Sequence, residues 1–184
     1  RQLCLDLIRD RHARFYLEVG LREAGASQAG PERAHFEVLR RIEDNTRVAL
    51  DRLLGVDPEA VLALAANLNL FWWSQGRLRE GRAWLERGRE AAPDPPAELR
   101  ATGLFCEAFL LAQDTDDWGA AAKLVDAGIE VVASYTDEPP LVLAMLHGIR
   151  AECDAVNGDP TSALARARTA CELASGYQGS WGQA

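Results

Sequence analysis

Apolar residues recur three and four positions apart along most of the chain, and the strongest pattern spans Pro58 to Pro93. Val61, Leu62, Leu64, Ala65, Leu68, Phe71 and Trp72 form one stripe, and Leu78, Gly81, Trp84, Leu85 and Gly88 form a second. Ser74-Gln75-Gly76-Arg77 stands between them, so the pattern predicts two helices folded against each other across a tight turn. Neither helix hides its stripe alone, and each needs neighbours on both flanks.

The same spacing extends in both directions. A first helix is expected from Leu3 to Ala24, with Gly25 to Gly30 as a loop of small residues. Pro31-Glu32 opens a second helix that ends near Leu54-Gly55, and Asp57-Pro58 caps the third. Pro93-Asp94-Pro95-Pro96 is a stop. Beyond it, helices are expected over Ala97–Gln113, Trp118–Ser134 and Leu141–Val156, then from Pro160 to Ser175, with a break at Thr136 to Pro140. Eight helices and no convincing strand predict an all-α fold.

The turns repeat. Gly76, Asp116 and Gly158 are 40 and 42 residues apart. Small residues follow each turn about five and twelve positions on: Gly81 and Gly88, Ala121 and Gly128, Ala163 and Ala170. That spacing puts each pair on one helical face, where a partner helix approaches closely. Helix pairs at a fixed period predict an α-solenoid of antiparallel hairpins. The expected division is one helical-repeat domain over 1–184: a helix pair in 1–55, hairpins in 58–93, 97–134 and 141–175, and the start of a further repeat in 176–184.

Trp72, Gly76, Leu78, Gly81, Leu85, Gly88 and Pro93 together resemble a tetratricopeptide repeat, which implies a right-handed superhelix with a concave binding face. Asn69 stands where that pattern usually has a small residue, and the turn at Asp114 to Asp117 is about two residues too long for it. A second resemblance covers nearly the whole chain. His12 to Leu17, Gly30-Pro31-Glu32, Ile42 to Asn45 with Val48 to Leu50, and Phe71 to Arg87 resemble the region after the nucleotide switch in LuxR-type and antibiotic-regulator-type signal-transduction ATPases, which are bacterial transcriptional regulators. That resemblance implies a cytoplasmic sensor or scaffold that couples signal binding to an ATPase and DNA-binding switch in neighbouring modules. No phosphate loop or helix-turn-helix motif occurs in these residues, and the absence of an initiator Met suggests a piece of a longer chain.

Charge limits the partners. Residues 1–93 hold 15 Arg against 14 acids, a net of +1, and residues 94–184 carry a net of −9. The acidic half repels a phosphate backbone, so direct nucleic-acid binding is not expected. No apolar run approaches membrane-spanning length, so no membrane contact is expected either.

Few residues suggest chemistry. His12, His35 and His147 lack any metal-ligand spacing, and Cys4, Cys106, Cys153 and Cys171 form no C-x-x-C pair. Glu43 and Asp44 do not share a face, and the acids at Asp114 to Asp117 read as a solvated turn and cap. The expected catalytic set is therefore none, with no metal and no cofactor in this stretch. The Arg run Arg77, Arg79, Arg82, Arg87 and Arg89 reads as a solvated face, with Glu80, Glu86 and Glu90 as intrahelical partners. Docking of an acidic partner is the alternative.

The paired Trp72 and Trp73 are more informative. Adjacent helical residues point about 100° apart, so only one of them can face the hairpin seam. Trp72 is expected there, and Trp73 with Leu70 on the hollow of the solenoid. Leu104 and Leu111 on the fifth helix, and Met145 and Glu152 on the seventh, are the matching positions. Either the first two helices, or repeats missing from this stretch, cover that hollow, or it forms a concave groove for a protein partner or a small effector. A stand-alone adaptor joining proteins is the alternative function, and an enzyme would need a constellation that these residues do not form.

Overall fold

A computed structural model describes residues 2–29, 32–133 and 141–175. Every regular element among them is helical: α1 (Gln2–Ala29), α2 (Glu32–Leu54), α3 (Pro58–Asn67), α4 (Asn69–Ser74), α5 (Leu78–Ala91), α6 (Ala97–Thr115), α7 (Trp118–Val132), α8 (Leu141–Val156) and α9 (Pro160–Ala174). The fold is all-α, with neighbouring helices packed in pairs as a helical-repeat fold requires. Three expectations lie outside the described residues: the start at Pro31, the break at Thr136 to Pro140, and the repeat opening after residue 175.

Two boundaries differ from expectation. The first helix runs on to Ala29, because Ala24 and Ser27 are buried and the Ser27 hydroxyl donates to the Ala24 carbonyl at 2.7 Å. Gly25 faces open space there, and one exposed glycine costs a helix only about 1 kcal/mol. The third helix is interrupted at Leu68, which yields nine helices among the described residues instead of eight. Leu68 stands there at φ −80° and ψ 6°, and its own N–H still reaches the Leu64 carbonyl at 3.0 Å.

Residues 1–93 and 94–184 form two compact units, divided in sequence at the proline-rich stop. In the first unit, α1 lies antiparallel to α2, and α3 packs on α5. Leu39, Leu50, Leu53, Leu62, Leu64, Leu68 and Leu85 are fully buried there. Each contributes roughly 1.5–3 kcal/mol by leaving water. The crossing of α3 and α5 is set by Gly88, since a Cβ at that position would sit 3.0 Å from the Leu62 backbone nitrogen and 3.1 Å from its Cα.

In the second unit, α6 packs on α7 and α8, and α9 packs on α8 alone. Buried residues surround α6 on every side, which makes it the central rod of this unit. Gly128 plays the part of Gly88 there: its missing Cβ would meet the Leu146 side chain at 2.9 Å and the Leu104 Cβ at 3.6 Å.

Gly76, Asp116 and Gly158 adopt left-handed φ values of 67°, 54° and 81°. These three turn residues are the ones whose spacing set the sequence period, and no other described residue has a positive φ. Asp57, Asp117 and Asp159 cap the helices that follow a turn, accepting from Ala60, Ala120 and Ser162 amides at 3.2, 2.9 and 3.0 Å.

Candidate functional site

The break at Leu68 leaves α4 as a short helix that carries both tryptophans. Trp72 is 1% exposed and Trp73 is 49% exposed. Trp72 lies beside Phe71, whose ring meets Phe36 of α2 edge-on at 5.9 Å. Trp72 is thus held in the core, and its neighbour stands at the surface with Leu70 half-buried close by in sequence. Two polar atoms of α4, Asn69 Oδ1 and Trp72 Nε1, are buried without a hydrogen-bond partner among the described residues.

The other predicted site residues belong to the second unit and divide differently. Leu104 and Leu111 are 6% and 7% exposed, so their side chains are consumed by packing and do not line an open hollow. The cause for Leu104 is Gly128, whose lack of a side chain lets α7 close over it. Met145 is half-buried and Glu152 is exposed. Partial burial nevertheless lifts the Glu152 carboxyl above its ordinary value.

Charged side chains form two clusters that sequence reasoning missed. In the first unit, Glu43 of α2 is buried and pairs with both Arg47 and Arg77. Arg47 also reaches Glu80 of α5 at 2.6 Å and Asp44 at 2.8 Å, and Arg77 lies 3.6 Å from Glu80. The Glu80 carboxylate raises Arg47 above its ordinary value. Arg87 extends over the Trp84 ring at 4.3 Å and pairs with Asp51 of α2 at 3.2 Å. Arg77 and Arg87 therefore take partners from α2, and the basic run serves partly to tie α2 to α5. The i,i+4 pair Glu43–Arg47 was the available signal.

In the second unit, buried Asp154 of α8 pairs with Arg150 and with Arg166 of α9, the latter at 2.9 Å. Arg150 also reaches Asp126 of α7 at 2.8 Å, so one cluster joins three helices. His147 lies near it, and burial, with the Arg166 charge second, lowers its pKa.

The remaining candidates have structural surroundings. His12 donates to the Asn45 side-chain oxygen at 3.2 Å, and His35 donates to Glu23 at 2.9 Å. The two histidines thus join α1 to α2 separately. Burial pushes the Cys106 thiol up to about 12, which leaves it un-ionised and unreactive. No disulfide joins the four cysteines. Among the described residues, no group of three or more His, Cys, Asp or Glu is placed to hold a metal ion. No described helix is long and apolar enough to cross a membrane.

No protein-family model, curated protein or solved structure matches this chain.

Proposed function

We propose that this chain is a binding module from a bacterial transcriptional regulator. Its helix pairs hold an effector or a protein partner, and the bound state is passed to ATPase and DNA-binding modules elsewhere in the same cytoplasmic protein. The family part of this reading rests on the sequence resemblance above. The binding part rests on one observation: a core-locked Trp72 beside a surface Trp73, on a six-residue helix set off by a break. An exposed aromatic on a well-anchored element offers apolar contact area at low conformational cost. A bound molecule changes the balance between two regulator states only if it contacts them differently.

A thermal-shift screen of the whole chain against small metabolites and candidate partner proteins tests the reading. At least one compound or partner is expected to raise the melting temperature, as any ligand of the native state does. Trp73→Ala is then expected to weaken that ligand about tenfold or more, as loss of a binding anchor does, with the free protein's melting temperature little changed. Undiminished binding by Trp73→Ala would remove Trp73 from the site. Binding of proteins alone, with no metabolite active, would favour the stand-alone adaptor.

A further inference from the structure

α1 is apolar on both flanks. Its inner flank, with Ala13, Gly20 and Ala24, is buried, and so is Val19, four residues past Phe15, where the exposed outer flank ends. Its outer flank carries Cys4, Ile8, Arg11 and Phe15, spaced four, three and four apart, and all four are exposed. Ile8 is 59% and Phe15 is 56% exposed, and Leu7 lies exposed alongside. Leu5 and Leu7 lie exposed on either side of this line, but Arg11 at its centre suits the seam of a helix–helix contact, since a helix on a lipid surface keeps its cations on the polar face. From Cys4 to Phe15 the seam is about 17 Å long, three helical turns.

The charges on this flank point to what would cover it. Arg11 sits on the seam between Ile8 and Phe15 and has no ion-pair partner among the described residues. The nearby acids are already engaged: Asp6 with Arg9 at 3.4 Å, and Asp10 with Arg52 of α2 at 2.7 Å. Covering the seam takes the Arg11 guanidinium out of water, which is costly unless a carboxylate meets it. We propose that the outer flank of α1 docks an amphipathic helix of a partner protein, apolar along its own seam and bearing an acidic residue at the seam's centre, opposite Arg11. This surface is separate from the Trp73 face and does not depend on it.

Labelled synthetic peptides titrated into the whole chain test this by fluorescence anisotropy. The probe is a helical peptide of about 18 residues, long enough to be partly helical alone, with Leu at the seam positions and one central Glu. The control has Lys in place of that Glu. The Glu peptide is expected to bind about tenfold tighter or better, and more weakly as salt rises. Arg11→Glu is expected to reverse the preference. The double variant Ile8→Ser, Phe15→Ser is expected to abolish binding of both peptides, with an unchanged helical circular-dichroism melt because both side chains are exposed. Equal binding of the two peptides, no binding of either, or binding that survives the double variant would overturn the proposal. So would binding to phosphatidylserine vesicles, or a dimer in sedimentation, that the double variant abolishes while the Glu peptide fails to bind.

Discussion

His147 shows how position decides what a side chain does. It sits half-buried on α8 with Nδ1 unpartnered among the described residues, close enough to Arg166 to feel its charge. Both influences disfavour the imidazolium, so the folded-state pKa lies below the ordinary 6.5. Between those two values the unfolded chain binds more protons than the folded one, and stability falls as pH drops. The stability curve is therefore expected to be flat in His147 above the ordinary value and to decline below it, a slope that His147→Gln removes. Urea melts at stepped pH check this. Glu23, whose carboxyl is held below its ordinary 4.5 by His35, adds its own loss of stability only as pH falls under that value, so the two slopes separate. At this scale the sequence was only partly informative. The Trp72–Trp73 contrast follows from helical geometry and was legible. The closure over Leu104 was not, because it depends on how near α7 comes, and the Glu43 and Asp154 clusters were not, because their partners lie on other helices.

Among the elements, spacing between helices is set by what their glycines lack. At Gly88 a new Cβ would press on the Leu62 backbone, which cannot swing aside as a side chain can. Gly88→Ala is therefore expected to destabilise the protein by about 1–2 kcal/mol, after the gain in helix propensity is subtracted. Gly25→Ala, with nothing near its Cβ, is expected to stabilise by about 0.5–1 kcal/mol. Chemical denaturation of the two variants beside the parent gives both signs in one experiment. Elements with a strong apolar period, such as α5, or with an aspartate cap, such as α7 and α9, were readable from the chain. The end of α1 was not, because burial of Ala24 and Ser27 outweighs a local string of small residues. The break at Leu68 was missed because the apolar pattern runs straight through it, from Leu64 and Leu68 to Phe71 and Trp72.

At the scale of the whole chain, packing is uneven, and that unevenness is what a binding module needs. Around the Gly88 and Gly128 crossings, α3, α5, α6 and α7 each bury four or more residues. By contrast α9 buries none, whereas α4, short as it is, buries Asn69, Phe71 and Trp72 and leaves Trp73 at the surface. Segments with few buried contacts open at lower free energy, so α9 is the loose helix and α4 holds its surface tryptophan in place. The sequence period showed where the pairs lie, since the left-handed turns fall at Gly76, Asp116 and Gly158, but it carried no information on how firmly each pair is held. Residue-resolved hydrogen exchange on the whole chain tests the central claim, that Trp73 stands at the surface of an element anchored in the core. The slowest amides are expected in α3, α5, α6 and α7, with α4 protected beside them over Phe71 and Trp72, and α9 exchanging fastest among the described helices. Exchange in α4 as fast as in α9, or fastest exchange at the Gly88 and Gly128 crossings, would contradict it.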